Sequence, residues 1–289
     1  MISRAREIYL EKEKGRLPLK YATIVCCRNE EQYIDVCINA ILNQTLPPDL
    51  FLVMDDGSTD STREIVAGYP CVKLVALNYP RSKVRGVNTV QALNVGINLI
   101  AESGYTLFVD ADTVLPINYA RTLIDFMEEH PDIGVISGFP ETAKFSYEHV
   151  PNGARIYRWA CIKKIGQIPP IAGFDSWLKF KIKQLGYEVR GYDIRYKDMR
   201  PGRAQVRRHY FWGRASYLIG QPLLIVVAKA FRSLKHKPPV LSSLVYFFSY
   251  LAHRLTGWRL FTAEYYSYVN DYFKRLVCQG VRRGIKLIE

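Results

Sequence analysis

The stretch Tyr105-Thr-Leu-Phe-Val-Asp110-Ala-Asp112 constrains this chain more than any other. A run of strand-forming residues leads directly into two carboxylates separated by one small residue. Residues i and i+2 of a strand share a face, so a strand that ends at the first acid presents both to one solvent-filled space. Two such acids are hard oxygen donors that suit Mg²⁺ or Mn²⁺, above all when a ligand's phosphates complete the shell. By itself an Asp-x-Asp is more often a plain turn. The neighbouring segments decide between the two.

Those segments repeat one plan. Tyr21–Cys27 reads as a buried strand ended by Arg28-Asn29-Glu30-Glu31, and a helix follows to about Leu42, with Ile34, Ile38, Ile41 and Leu42 at helical spacing. Leu50–Met54 reads as a second strand ending in Asp55-Asp56-Gly57-Ser58-Thr59-Asp60, with Ser58 or Thr59 capping a helix that reaches Ala67. Val72–Leu77 is a third strand, followed by a polar loop with Arg81, Lys83 and Arg85 and a helix across 87–102. The strand at 105–109 delivers Asp110 and Asp112, and a helix at 116–129 and a strand at 133–137 come next. This alternation predicts a parallel α/β sheet with helices on both faces. In such sheets ligands bind beyond the carboxyl ends of the strands, where each of the three polar clusters sits. They are therefore expected to converge on one crevice.

Beyond 140 the alternation weakens. Residues 155–164 read as a helix with Arg155, Arg158, Lys163 and Lys164, and a second helix runs from Gly173-Phe-Asp-Ser-Trp to Leu185. Two apolar stretches, Tyr217–Ala230 and Val240–Ala252, precede a last helix at about 262–279, and residues 4–14 read as a short charged helix. Charge is split along the chain. Residues 176–289 hold 22 Lys+Arg against 6 Asp+Glu, whereas 1–175 hold 18 against 21. The last third is thus a cationic module suited to anionic lipid, a phosphorylated acceptor or nucleic acid. None of the six cysteines forms a Cys-x-x-Cys pair, which favours buried thiols in a reducing compartment over a zinc site or a disulfide framework. Residues 1–20 are charged and lack an apolar run, unlike a signal peptide. The expected division is an N-terminal charged helix (1–20), a catalytic domain (21–200) and a helical basic extension (201–289).

Thr23-Ile-Val-Cys-Cys-Arg-Asn-Glu-Glu, Asn43-Gln44-Thr45, Asp55-Asp56-Gly57-Ser58-Thr59-Asp60, Ala92-Leu-Asn94-Val-Gly96-Ile97 and Val-Asp110-Ala-Asp112 occur in an order and spacing that resembles the family 2 glycosyltransferases. The resemblance covers roughly residues 20–190. It implies the GT-A fold, a mostly parallel sheet flanked by helices, and inversion of configuration at the transferred sugar. It also implies a nucleotide-diphosphate sugar as donor, with UDP the favoured carrier and GDP and dTDP alternatives, and Mn²⁺ or Mg²⁺ as cofactor. By the same resemblance Asp56 contacts the base, and Cys27, Arg28 and Glu30 line base and ribose. Asp110 with Ala111 meets the ribose or a metal-bound water, and Asp112 binds the metal. The family's usual Pro and Tyr are replaced by Cys26 and Arg28, so stacking on a Tyr ring is lost and Arg28 is aimed at a phosphate. Asp175 matches the general base, although the usual Glu before it is Phe174. The plainer role for Asp175 is an acid at a helix N-terminus. His209 and Asp198 are the alternatives for a third metal ligand. Gln205-Val-Arg-Arg208 followed by His209 breaks the Gln-x-x-Arg-Trp pattern of processive synthases, which implies single-sugar transfer.

The two apolar stretches, 14 and 13 residues long, fall short of the roughly 20 residues that cross a bilayer. Flanked by Arg and Lys, with Trp212 and Trp258 near their ends, they suit helices lying in the interface of an anionic membrane; buried packing helices are the alternative. A lipid-linked or glycan acceptor at the cytoplasmic face of the cell membrane, for envelope polysaccharide or glycolipid synthesis, accounts for both the charge and the apolar area. Two rivals fit less well. A nucleotidyltransferase needs a glycine-rich basic loop where Arg28-Asn-Glu-Glu stands, and a nucleic-acid binder needs a recognition motif that is not found.

Overall fold

The computed structural model describes residues 19–200 except Lys83 and Arg85, together with 206–234, 238–256, Phe261 and 263–283. The expected helix at 4–14, along with Gln205, Lys235, Lys237 and Trp258, lies outside the described residues. The chain divides into two compact units. The first holds residues 1–81, 88–168 and 181–201; the second holds 82–87, 169–180 and 202–289.

In the first unit the chain runs β1 (Leu19–Cys27), α1 (Ile34–Leu42), β2 (Leu50–Asp55), α2 (Thr62–Ala67), β3 (Lys73–Ala76), α3 (Val87–Asn98) and β4 (Ser103–Asp110). It continues through β5 (Thr113–Val114), α4 (Tyr119–Glu129), β6 (Ile133–Pro140), β7 (Ala154–Arg158) and α5 (Trp159–Ile165). Helix α6 (Phe174–Gln184) begins in the second unit and ends in the first, before β8 (Glu188–Asp198). The eight strands form one sheet in the order β3-β2-β1-β4-β7-β6-β8-β5. The β3-β2-β1-β4 half is parallel, and every residue of β2 is buried, as expected for strands covered on both faces. Tyr21, Ile34, Ile38, Ile41, Phe51 and Tyr119 anchor one core beside this half.

The other half departs from the expected alternation. Strand β7 is antiparallel to both β4 and β6. It occupies 154–158, where the sequence suggested the start of a helix; that helix begins only at Trp159. The misleading signal was charge. Arg155 is buried, its guanidinium donating to the carbonyls of Pro151 (2.7 Å) and Val150 (3.1 Å). Arg158 donates to the carbonyls of Ile133 and Met127 and sits over the Tyr105 ring. Neither arginine marks a solvent face. Ser58 and Thr59 also do not cap α2, whose N-cap is Ser61 without a side-chain hydrogen bond.

The second unit contains the start of α6 and the helices α7 (Val206–Leu218), α8 (Leu223–Ser233), α9 (Pro239–Leu255) and α10 (Ala263–Arg283). The apolar stretch 217–230 is not one helix. Gly220, at φ 77°, and Pro222 end α7 and start α8. Helices α7 and α9 cross so closely at Gly213 that a Cβ there would collide with the Tyr246 carbonyl. Ser216 and Tyr246 share a hydroxyl hydrogen bond (2.7 Å), and Ser249 donates to the Tyr210 carbonyl (2.7 Å).

Candidate active site

The carboxyl ends of the parallel strands finish level. Cys27 of β1 pairs in register with Asp55 of β2, and Cys26 with Asp110 of β4. The rim of the first unit therefore carries the 28–31 turn in the middle, Asp56 on one side and Asp110 on the other. Strand β4 ends at Asp110 itself. The Asp110 amide donates to the Gly153 carbonyl at 2.9 Å, which fixes where the strand stops.

The two acids of the 55–56 pair have different tasks. Asp55 is fully buried, accepts from the Ser58 amide (3.1 Å) and from Arg63 Nε (2.5 Å), and holds the turn. Asp56 turns the other way. Its amide donates to the Cys27 carbonyl, so Cys27 contributes backbone while its own thiol is buried. The Asp56 carboxylate pairs with Arg81, and Tyr79 stands beside it, its hydroxyl pushed up by burial and by Asp56.

The 28–31 turn is laced to the 57–62 loop. Asn29 adopts φ 54°, a left-handed conformation that Asn tolerates better than most residues. Its amide donates to Ser58 Oγ (3.0 Å) and its Oδ1 accepts from the Thr59 amide (2.9 Å). The Glu30 amide donates to Thr62 Oγ1 (2.8 Å), and Glu31 accepts from the Ser61 amide (3.0 Å). Arg28 is left exposed, and the Glu30 carboxylate is aimed inward at 14% side-chain exposure.

Ala111 is buried and turns the chain so that Asp112 comes next to β8. The Met199 amide donates to the Asp112 carbonyl at 2.8 Å, and Thr113 pairs with Asp198 across the antiparallel β5–β8 ladder. Asp198 and Asp112 are thereby neighbours. Burial, then Asp112, pushes the Asp198 carboxyl above the usual carboxylate range. Glu30 is pushed up by burial, pulled down by Arg200 and pushed up again by Asp112 and Asp60. Arg200 pairs with Glu30, lies 3.6 Å from Asp112 through Nε, and sits over the Tyr33 ring at 5.0 Å.

Among the described residues, no three His, Cys, Asp or Glu side chains gather as a closed metal site. An incomplete acidic site suits Mg²⁺ or Mn²⁺, which take one or two carboxylates and leave the other positions to water and phosphate. Asp112 and its neighbour Asp198 are an open pair of that kind. His209 belongs to the second unit, buried in α7 and edge-on to Trp212 at 5.0 Å.

Asp175 is also in the second unit, in the first turn of α6 behind Gly173, which has φ 82°. Lys229 of α8 feels its charge. Burial lowers the Lys229 ammonium to about 8, with Asp175 opposing that shift, and Lys229 donates to Gln221 Oε1 at 2.9 Å. The sequence reading missed the roles of Arg200, Tyr33 and Tyr79. Their only sequence signal was a cation or ring close to a strand-end acid.

Residues 23–182 match the family model described as glycosyl transferase family 2, more than half of the chain. The chain belongs to glycosyl transferase family 2. Its fold is that of the GT-A glycosyltransferases. A mannosyltransferase from Pyrobaculum calidifontis, solved with GDP-Man and Mn²⁺, superposes over 93% of this chain and 92% of its own at a TM-score of 0.57 and 18% identity. TarS of S. aureus, solved with UDP-GlcNAc, superposes over 88% of this chain and 81% of its own at a TM-score of 0.52 and 18% identity. In sequence, the poly-β-1,6-N-acetyl-D-glucosamine synthase of Staphylococcus epidermidis is 27% identical over 176 residues, 57% of this chain. The match spans only 40% of that relative.

Proposed function

We propose that this family 2 chain is an inverting, divalent-metal-dependent glycosyltransferase that moves one sugar from a nucleotide-diphosphate sugar to a glycan or lipid-linked acceptor in envelope polysaccharide or glycolipid synthesis. It works peripherally at the cytoplasmic face of the cell membrane. The observation that carries the reading is the level rim of β1, β2 and β4, with Asp56 at one side and the Asp110, Asp112 and Asp198 acids at the other. Asp56 accepts from a ring N–H of the base, and Cys27, Arg28 and Glu30 line base and ribose. Asp110, next to Ala111, meets the ribose. Asp110 and Asp112 hold Mn²⁺ or Mg²⁺, and the proximity of Asp198 to Asp112 favours it over His209 as the further ligand. The bound ion supplies positive charge where negative charge builds on the departing diphosphate.

Inversion requires a single in-line displacement. The acceptor oxygen bonds to the anomeric carbon as the bond from that carbon to the diphosphate oxygen breaks, and the nucleoside diphosphate leaves. Asp175 takes the acceptor's proton. Donor use is further supported by the relatives solved with GDP-Man and UDP-GlcNAc, and polysaccharide synthesis by the staphylococcal synthase. A thermal-shift screen of UDP-, GDP- and dTDP-sugars with and without Mn²⁺ tests the reading. A ligand at about 100 times its Kd stabilises by about 2.7 kcal/mol, a readily measured rise in melting temperature. The rise should need Mn²⁺ and disappear in Asp112→Asn. If no nucleotide sugar shifts the transition under either condition, the reading fails.

A further inference from the structure

Helix α9 is amphipathic in the opposite sense to a water-soluble helix. Its buried side carries Ser242, Tyr246, Ser249 and Tyr250, and the last three hydroxyls hydrogen-bond to Ser216, to the Tyr210 carbonyl and to the Gln221 carbonyl. Its outward side carries Leu241, Leu244, Phe248 and Leu255, at spacings of three, four and seven, with Phe248 59% and Leu255 87% exposed. Helix α8 repeats the arrangement. Val226, Ala230 and Ser233 face inward, while Leu224 (63%) and Phe231 (67%) project outward one heptad apart. Small and hydroxyl residues between helices with aliphatic residues outside is the pattern of helices in an apolar medium. In water it leaves an apolar face much larger than scattered surface residues require.

Charge indicates which apolar medium. Between Asp198 and Glu264 there is no acidic residue and there are eleven Lys and Arg. Exposed Arg232 and Arg254 stand at the ends of the two outward stripes. A hydrophobic protein partner would not require the complete exclusion of carboxylates over so long a segment, whereas an anionic headgroup layer would. No helix among the described residues is long and apolar enough to cross a membrane.

We propose that the outward faces of α8 and α9 are immersed in one leaflet of an anionic bilayer and seat the second unit on it as a monotopic surface. This deepens the membrane element of the function above, but it does not depend on the donor or the metal. The acyl region takes Leu224, Phe231, Leu244 and Phe248, and Arg232 and Arg254 reach back to the headgroups.

Flotation of the full chain with vesicles of phosphatidylcholine, alone or mixed with phosphatidylglycerol, tests the proposal. Binding should need the anionic lipid and should weaken, without vanishing, at high salt, because screening acts on the cations and not on the apolar face. Phe231→Ser/Leu244→Ser/Phe248→Ser should lower partitioning at least about tenfold while leaving the nucleotide-sugar thermal shift unchanged. In a separate variant, Phe231→Trp, brominated acyl chains should quench the fluorescence that the introduced indole adds to that of wild type. Equal partitioning of the triple variant, complete release by salt, or an added indole signal that brominated lipid leaves unquenched overturns the proposal. A dimer in plain buffer that the triple variant converts to monomer, without vesicle binding, would assign the face to a second copy instead. Failure of the donor screen would leave the flotation result standing, so the two readings fail separately.

Discussion

Arg200 is the only cation drawn into the carboxylates around Asp112, among the contacts described for that cluster, and a divalent ion there must compete with it. The perturbation is Arg200→Met, which keeps an unbranched side chain beside Tyr33 and removes the charged guanidinium that sits over its ring. Arg200 is 49% exposed, Asp112 25% and Glu30 14%, so solvent screens both contacts. Partly exposed pairs of this kind contribute about 0.2–1 kcal/mol each. Two of them amount to about 0.4–2 kcal/mol, and at 1.4 kcal/mol per decade Arg200→Met should bind Mn²⁺ roughly two- to thirtyfold more tightly in the absence of nucleotide. Electron paramagnetic resonance titration of free Mn²⁺ measures this directly, with Arg200→Lys expected to stay near wild type. The folded protein should respond to pH in a defined sense. Glu30 already titrates above its ordinary value because burial outweighs Arg200, and loss of Arg200 raises it further. A raised carboxyl adds stability below its unfolded pKa and loses that contribution as pH rises through the folded pKa. Arg200→Met should therefore match wild type near pH ~4 and melt lower at pH 7, with Mn²⁺ closing the gap. Mn²⁺ affinity that is unchanged or weaker in Arg200→Met would refute the competition.

Asp198→Asn should melt higher than wild type at pH 7 without metal and equally at a pH below ~3.9, because partial desolvation and the Asp112 charge raise the Asp198 carboxyl; the same variant should bind Mn²⁺ more weakly by titration. Asp175→Asn should reduce acceptor turnover about 10²–10⁴-fold with donor affinity unchanged, and wild-type turnover on the same preparation would remove Asp175 from the base role. Gly213→Ala should cost about 1–3 kcal/mol in urea denaturation, since its Cβ meets the Tyr246 carbonyl and Ser249; a neutral result would mean that α7 and α9 separate readily.

The parallel half of the sheet was legible because its strands are short apolar runs ended by polar clusters, and the structure ends β1, β2 and β4 at or within one residue of those clusters. Strand β8 was not legible. Glu188-Val-Arg-Gly-Tyr-Asp-Ile-Arg-Tyr-Lys-Asp198 carries six charges in eleven residues and buries Val189, Gly191 and Tyr196. Its strand character comes from pairing with β6 and β5 rather than from its own apolar content. Gly191 is required there because a Cβ would collide with the Ser146 carbonyl. The site followed the same division. Asp56, Asp110 and Asp112 could be read locally because each follows a strand. Arg200 is 170 residues from Glu30 in the chain, and only the β5–β8 pairing brings that guanidinium to the acids.

The two least comfortable regions of this protein in water differ in the sign of what is uncompensated. Around Asp112, the Glu30 and Asp198 carboxyls are raised above their ordinary range, and Glu30 and Asp112 share one half-exposed guanidinium. What is missing there is positive charge, and a small hard cation supplies more of it per unit volume than any side chain. Along α8 and α9 the imbalance is apolar area with cations at its ends, in a segment that carries no acid between Asp198 and Glu264. What is missing there is an apolar medium with an anionic edge. Neither region is arranged to maximise stability of the isolated chain, and natural sequences accept such local conflicts mainly where function requires them. The conflicts are also independent. Neutralising Asp198 should stabilise the first without altering vesicle binding, and serines on α9 should relieve the second without altering metal affinity. Additivity of the two substitutions in melting temperature and in both binding assays is expected if the acidic rim and the apolar face act as separate sites.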